Sequence, residues 1–286
     1  MALAQRPPGA GRHKAKRSDL IAEEVLRWAL LNRMKPGDRL PQEKELLEMF
    51  ECSRGTLREA LKSLEVQGVV RIVTGPRGGA RLTRVPEDRA MKLLTNYFWF
   101  RESDARTIYE ARSLLEPLMV RVAIDHLTDD DFAAMRDTVD LCHHGCAGAV
   151  DAATHRAAEI QFHQIIANRV PNPFFRFFCI FVNHVLFTSI TPKAVAIGQT
   201  RPFSDHVIHA HEEIIEALEA RDADRASELM AAHVEEAGSL AADLEFNFDR
   251  ALFDPILSQQ IDVAGALERL QGHDPSRVVS PGLKDD

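Results

Sequence analysis

Cysteine is scarce in this sequence, and no stretch of it is apolar enough to form a membrane span. Four cysteines in 286 residues are too few for a disulfide-stabilised fold and fit a reducing compartment. The longest apolar stretch, residues 174–187, is interrupted by Arg176, Asn183 and His184, and it is too short to cross a bilayer. The basic N-terminus lacks the apolar segment of a signal peptide. We therefore expect a cytoplasmic protein that has no membrane partner.

The charge is distributed unevenly along the chain. The whole sequence carries a net charge of -8, with 45% apolar and 27% charged residues, which is ordinary for a globular protein. Residues 1–84 hold 17 Lys and Arg against 10 Asp and Glu, a net charge of +7, so the remainder carries -15. This asymmetry predicts two domains with different partners, the first of which faces a polyanion. A solvated basic face without a partner is the alternative.

Residues 18–84 show the pattern of a winged helix-turn-helix, preceded by a flexible basic arm at residues 1–17. Ser18 is predicted to cap a first helix, which ends before a Pro-Gly turn. A short second helix at 42–50 and a third helix capped by Ser53 follow, and two helices joined by a tight connection are typical of a helix-turn-helix. Two short β-type runs then flank a glycine-rich tip, which predicts a β-hairpin wing.

The exposed start of the third helix is cationic. Its first turns contain Ser53, Arg54, Thr56 and Arg58. A recognition helix meets base edges and phosphates from such positions, and cations at a helix N-terminus oppose the macrodipole, so the pattern predicts an external anion. The wing tip with Arg77 and Gly78 would lie against the minor groove or the DNA backbone. A winged helix used only for protein contacts is the alternative.

From residue 85 onward the sequence reads as helices with no convincing alternating strand. The predicted fold class is mainly α, with the winged helix-turn-helix followed by a bundle of six or seven helices over residues 85–246. Thr128, followed by Asp131, is a predicted helix cap. Residues 142–146 (CHHGC) are predicted to be a loop and not a metal site, because no second half of a site follows. Residues 247–286 form a C-terminal extension, partly disordered and without an assigned function.

Four residues of the C-terminal part have the chemistry of metal ligands. Glu159 and His163 are four apart and share one helix face, and His211 and His233 lie on later helices. A carboxylate and three imidazoles from separate helices suit a divalent metal such as Zn, Ni or Mn. A purely structural bundle with histidines satisfied in its core is the alternative.

The N-terminal motifs resemble the GntR family of bacterial transcription regulators. The resemblance rests on Pro36-Gly37-Asp38-Arg39-Leu40-Pro41, Glu43-Lys44-Glu45-Leu46, Ser53 to Leu61, Gly68-Val69-Val70 and Gly78-Gly79. It implies that Lys44, Arg54, Thr56 and Arg58, with the wing at 75–79, contact operator DNA. Lys44 stands where the family usually has arginine, so the charge is kept while the bidentate grip on phosphate is lost.

Residues 88–245 resemble the FCD effector domain of the FadR-like branch of that family. The matching features are Arg112 with Glu116-Pro117, Glu159 with His163, Asn172-Pro173, and His211 leading to His233. The resemblance implies that Glu159, His163, His211 and His233 bind one metal, with Glu where the family usually has Asp. It also implies that Arg112 binds an effector carboxylate, and an ion pair with Glu116 is the alternative.

These features together predict a ligand-responsive transcription regulator that is not an enzyme. It would bind palindromic operator DNA as a homodimer and a small carboxylate effector near the metal, with repression relieved by the effector and activation as the alternative. A metal-dependent hydrolase is the rival from another class, although the sequence lacks an HExxH helix. Glu212 and Glu213 are its only nearby candidate bases. The aromatic helix at 174–187 is predicted to be mainly core.

Overall fold

The structure is a computed structural model, and it describes residues 16–75, 78–99, 105–146, 152–189 and 201–241, together with Gly265. The chain divides into two compact units, of which the first ends at Leu93 and the second begins at Leu94. The domain limits predicted from the sequence stay predictions. Residues 1–15 and nearly all of the C-terminal extension lie outside the described residues.

The first unit contains three helices and a two-stranded hairpin. In chain order they are α1 (Arg17–Leu31), α2 (Glu43–Met49), α3 (Arg54–Gln67), β1 (Val70–Val73) and β2 (Gly79–Leu82). The sequence prediction of the first cap was wrong, because α1 begins at Arg17 with Lys16 in the N-cap position, and Ser18 is buried within the first turn. Val25, Leu46, Leu57 and Leu64 are among the side chains that close a common core.

The third helix has clear chemical limits at both ends. The Ser53 hydroxyl accepts a hydrogen bond from the Thr56 backbone N–H at 3.2 Å, which confirms the predicted N-cap. Gly68 ends the helix with φ of 80°, the left-handed conformation that glycine adopts most easily. The predicted short second helix is also present, as α2.

The wing is an antiparallel pair in which Val70 faces Leu82 and Val73 faces Gly79. A Cβ atom at Gly78 would overlap the carbonyl oxygen of Val73, so the turn requires glycine there. Arg77 lies outside the described residues.

The second unit is helical. Helix α4 (Glu87–Trp99) spans the division between the units. The others are α5 (Ala105–Ala123), a 3-10 turn (Ile124–His126), α6 (Asp129–Cys146), α7 (Ala152–Asn168), α8 (Pro173–Ser189), α9 (Arg201–Glu219) and α10 (Ala223–Ala241). Pro117 lies inside α5 without ending it. The predicted fold class, a winged helix-turn-helix followed by a helical bundle, is confirmed.

Helix packing in this unit brings together elements that are distant in sequence. Helix α5 packs against α10 and α8, and α6 packs against α7 and α9. The prediction of a loop at 142–146 was wrong, because α6 continues to Cys146. A side chain at Gly145 would overlap the ring of His155, so this glycine allows α6 and α7 to approach closely. None of the helices described is both long and apolar enough to cross a membrane.

Candidate functional site

The exposed start of α3 is the candidate nucleic-acid interface of the first unit. Arg54 and Arg58 are exposed, and no acidic residue occupies the first turn of α3. Thr56 is partly buried and its hydroxyl lies 2.8 Å from the hydroxyl of Ser53, so these two side chains support each other. The N-terminal backbone N–H groups and both guanidinium groups therefore offer positive charge on one surface.

Arg58 on α3 and Lys44 on α2 have only loose ion pairs. Arg58 Nη2 lies 3.7 Å from Glu43 Oε1, and the Lys44 ammonium lies 4.0 Å from Glu48 Oε1. The Lys44 side chain is 88% exposed. Exposed pairs at these distances contribute little, so both cations can exchange their partners for phosphates.

The wing carries arginines that the sequence interpretation did not single out. Arg71 and Arg81 face each other across the hairpin, and the backbone of Arg39 forms an isolated antiparallel β-bridge with that of Arg81. Like charges that face each other across strands are unfavourable unless an anion separates them. The alternation of the strands, which places Arg71 and Arg81 on one face, was the available sequence signal.

Three histidines from three helices meet in the core of the second unit. His163 lies on α7, His211 on α9 and His233 on α10, and each is at most 4% exposed. The Nε2 atom of His233 lies 3.2 Å from Nε2 of His211 and 3.3 Å from Nε2 of His163. The ring of Phe162 stacks on His211 at 3.9 Å and closes one side. Among the described residues this is the group whose ligand atoms are close enough to hold one metal ion.

The buried surroundings favour the neutral form of the histidines in this cluster. Burial lowers the pKa of His211 and His233 well below the ordinary value, and the neighbouring histidines and Arg112 add to this effect. Neutral imidazoles are the form that binds metals. One N–H of His233 cannot bridge both neighbouring Nε2 atoms, and its Nδ1 atom has no hydrogen-bond partner among the described residues. The three Nε2 atoms cannot all form hydrogen bonds with one another, and they are therefore better suited to binding a cation.

Arg112 and Glu116 form a buried ion pair beside the cluster. Arg112 Nε donates to Glu116 Oε1 at 2.6 Å, and both side chains are 2% exposed. Glu116 Oε2 also lies 2.8 Å from Nδ1 of His163. Burial alone would raise the pKa of Glu116, but Arg112 and His163 outweigh it and hold that pKa well below its usual range. The ion pair given as the alternative for Arg112 is thus present.

Glu159 lies on the same helix as His163 but is engaged elsewhere. Its Oε2 atom accepts a hydrogen bond from Arg156 at 2.6 Å, and its Oε1 atom lies 3.4 Å from His155 Nε2. Burial raises the pKa of Glu159, but Arg156 and His155 outweigh burial, so the net pKa of Glu159 is lowered. The structure brings together the three predicted histidine ligands and does not place Glu159 within that group.

A winged helix with an exposed cationic helix start, followed by a helical bundle around a histidine cluster, is the architecture of a two-part transcription regulator. Residues 17–79 match the family described as bacterial regulatory proteins, gntR family, and residues 107–236 match the FCD domain. The chain therefore contains a GntR-type helix-turn-helix domain followed by an FCD domain, and it is homologous to GntR-family regulators.

Individual relatives agree with this assignment. The chain is 24% identical over 227 residues to the HTH-type transcriptional repressor NanR of Salmonella schwarzengrund, spanning 77% of this chain and 82% of the relative. NanR of Salmonella newport is also 24% identical, with 77% and 84% covered. A solved structure described as Streptococcus agalactiae GntR has a TM-score of 0.53 at 22% identity, covering 78% of this chain and 99% of that one. This last likeness concerns the fold alone.

Proposed function

We propose that this protein is a transcriptional repressor that binds palindromic operator DNA as a homodimer and releases it when a small carboxylate effector binds the FCD domain. The family supports the class, and the name of the NanR relatives supports repression. The proposal places the protein in the cytoplasm, where its DNA would be.

The observation that carries the proposal is the exposed cationic start of α3. Arg54 and Arg58 stand at the end of a helix dipole that is already positive, and no carboxylate of the first turn offsets them. Duplex DNA supplies the anion, since phosphates neutralise the guanidinium groups while base edges offer acceptors to the same side chains. Two copies on two half-sites would multiply a modest affinity for each half-site.

The sensing unit would hold its metal through His163, His211 and His233. The fit rests on three buried imidazoles whose Nε2 atoms converge without satisfying one another. Such a site would supply a Lewis-acidic anchor for effector oxygens, with Zn, Ni or Mn as the expected metals. Glu159 stays a predicted fourth ligand, and binding by it would require that it leave Arg156 or share its oxygens.

The charge balance of the core favours an anionic effector. Arg112 is offset by Glu116 and Arg156 by Glu159, and the three histidines are neutral. A divalent cation in this place would leave buried positive charge without compensation, which a carboxylate effector would relieve. Arg112 supports that site through Glu116, and a direct contact between Arg112 and the effector stays a prediction.

We do not propose hydrolysis. Glu116, which contacts His163, and Glu159, one helical turn before His163, are both held by arginines and are poor bases for activating water. Of the two candidate bases named from the sequence, Glu212 is about half exposed and lies beside His143, and Glu213 is 37% exposed, whereas their neighbour His211 is 1% exposed.

Gel-shift titration against the DNA upstream of the protein's own gene tests the proposal. The wild-type protein is expected to give a sequence-selective shift that weakens steeply with salt. The double variant Arg54→Ala/Arg58→Ala is expected to lose about 30-fold or more in affinity, since each base-contacting arginine contributes roughly 1–3 kcal/mol.

The matched control is Arg106→Ala/Arg225→Ala, which removes the same charge from exposed positions of the second unit. It is expected to bind nearly as tightly as wild type. Equal losses in both double variants would show that net charge, and not the recognition helix, drives binding, and the proposal would then fail.

A further inference from the structure

We infer that Glu116, held in place by Arg112, is a positioning residue that keeps the proton of His163 on Nδ1 and so presents the Nε2 lone pair to the metal. The inference rests on the metal site proposed above and assigns a role to a pair that does not itself bind the metal.

Three buried side chains contact one another in sequence: Arg112, Glu116 and His163. Arg112 Nε and Nη2 donate to the two oxygens of Glu116 at 2.6 and 3.2 Å, which fixes the plane of the carboxylate. Oε2 of that carboxylate then lies 2.8 Å from Nδ1 of His163, within reach of a hydrogen bond that needs only a small rotation of the ring, because Nδ1 has no aligned partner among the described residues. Arg112, Glu116 and His163 are each 2% exposed, so water does not compete for these contacts.

The direction of donation follows from the inventory of donors. A carboxylate paired with a guanidinium has no proton to give, so the proton between Oε2 and Nδ1 belongs to His163. A neutral imidazole carries one N–H, and its Nε2 is then an acceptor. That Nε2 atom faces the cluster, 3.3 Å from Nε2 of His233. A carboxylate behind a histidine in this way orients the ring and increases its basicity as a ligand.

Arg112 matters because it selects the orientation of Glu116. Its two donors occupy both carboxylate oxygens, so an amide at position 116 cannot satisfy them as a carboxylate does. In Glu116→Gln, an amide NH2 group turned toward Arg112 would set donor against donor. Turned toward His163, it would require Nδ1 to accept and would move the ring proton to Nε2, which faces the cluster.

Zn²⁺ titration of the full-length metal-free protein is the first measurement. Glu116→Gln is expected to weaken Zn²⁺ binding about 10-fold to 100-fold relative to wild type, the usual effect of losing a supporting carboxylate. Asp131→Asn is the matched control, because it removes another carboxylate that pairs with an arginine, Arg169, in the same unit. Its Zn²⁺ affinity is expected to equal that of wild type.

The second measurement reads the tautomer directly. Long-range ¹H–¹⁵N spectra of the metal-free protein are expected to show His163 protonated at Nδ1 in wild type and shifted toward the Nε2-protonated form in Glu116→Gln. Unchanged Zn²⁺ affinity, or weaker binding with an unchanged tautomer, overturns the inference.

If the single variant does not fold, the double variant Arg112→Gln/Glu116→Gln removes both charges together, and the same two measurements are made on it. Wild-type protein that binds none of Zn²⁺, Ni²⁺ and Mn²⁺ contradicts the proposed metal site, while the tautomer still decides the role of Glu116.

Discussion

The charge state of individual side chains decides what the histidine cluster can do. Burial lowers the pKa values of His163, His211 and His233, so the folded protein keeps them neutral where free histidine begins to protonate. Because the unfolded chain takes up these protons more readily, stability falls as the pH drops below the ordinary histidine pKa of about 6.5. The same neutrality makes the Nε2 lone pairs available near pH 7.

Replacing single histidines tests the ligand set. His163→Ala, His211→Ala and His233→Ala are each expected to lose most of the bound metal, because each removes one of three converging donors. Metal content by elemental analysis and the metal-induced rise in melting temperature are the measurements. His209→Ala is the control, since His209 is 71% exposed on the same helix as His211.

Glu159→Gln in the same series tests the predicted fourth ligand. Metal content is expected to fall if Glu159 leaves Arg156 to bind the metal, and to stay at the wild-type level if it remains paired with Arg156. Retention of metal by all three histidine variants would instead support histidines with a structural role only.

The sequence could suggest His163, His211 and His233 as ligands. It could not show which carboxylate contacts the histidines and which one is paired elsewhere. Glu159 and His163 share a helix face, yet the rotamer of Glu159 is set by Arg156 and His155. Glu116 lies 47 positions before His163, and only the packing of α5 against α7 brings Oε2 to Nδ1. Such tertiary contacts leave no periodic signal in one sequence.

At the level of elements, caps specify where helices start. Thr128 and Asp131 form a reciprocal cap at α6: the Asp131 carboxylate accepts from the Thr128 N–H at 2.8 Å, and the Thr128 hydroxyl accepts from the Asp131 N–H at 3.4 Å. Arg169 also donates to Asp131 at 2.8 Å. One carboxylate thus joins the start of α6 to the residue that follows α7.

Asp131→Asn is expected to destabilise the second unit by about 1 kcal/mol, the usual cost of a lost cap. Burial raises the pKa of Asp131, but bonds from Arg169 and Thr128 outweigh it and the net pKa is lowered. Its contribution is therefore present above the unfolded pKa of aspartate and disappears as the pH falls through the lower folded value. Urea unfolding at pH 7 and at pH 3 is the measurement. Asp130→Asn is the control, because Asp130 is exposed in the same turn; equal losses would contradict the cap.

Element types were more predictable than element ends. Apolar residues at helical spacing indicated the helices of both units, because that spacing produces the buried stripe itself. The end of α6 was predicted wrongly for a tertiary reason. Gly145 looks like a loop signal in the sequence, but in the structure it allows the close approach of His155. The wrong cap of α1 is local, because Ser18 is buried inside a turn that starts earlier.

At the scale of the whole molecule, the two units offer opposite chemistry to ligands. Residues 1–84 carry a net charge of +7 and the remainder carries -15, so DNA is attracted to one part and repelled by the other. A carboxylate effector overcomes that repulsion only in a site that supplies local positive charge, which is the role proposed for the metal. The two ligands then communicate only if each binds the alternative arrangements of the protein with different affinity.

Linkage between these ligands gives the last prediction. If a carboxylate effector weakens operator binding by some factor, operator DNA must weaken effector binding by the same factor, and couplings of this kind are about 5-fold to 150-fold. Calorimetric titration of the metal-loaded protein with the effector, with and without saturating operator, measures one side, and gel shifts with and without the effector measure the other. A variant without metal, His211→Ala, is expected to bind operator as tightly as wild type and to show no response to effector. Because a common two-state equilibrium forces the factors to be equal, two clearly different factors, or an effector response that survives in His211→Ala, would contradict coupling through the metal site.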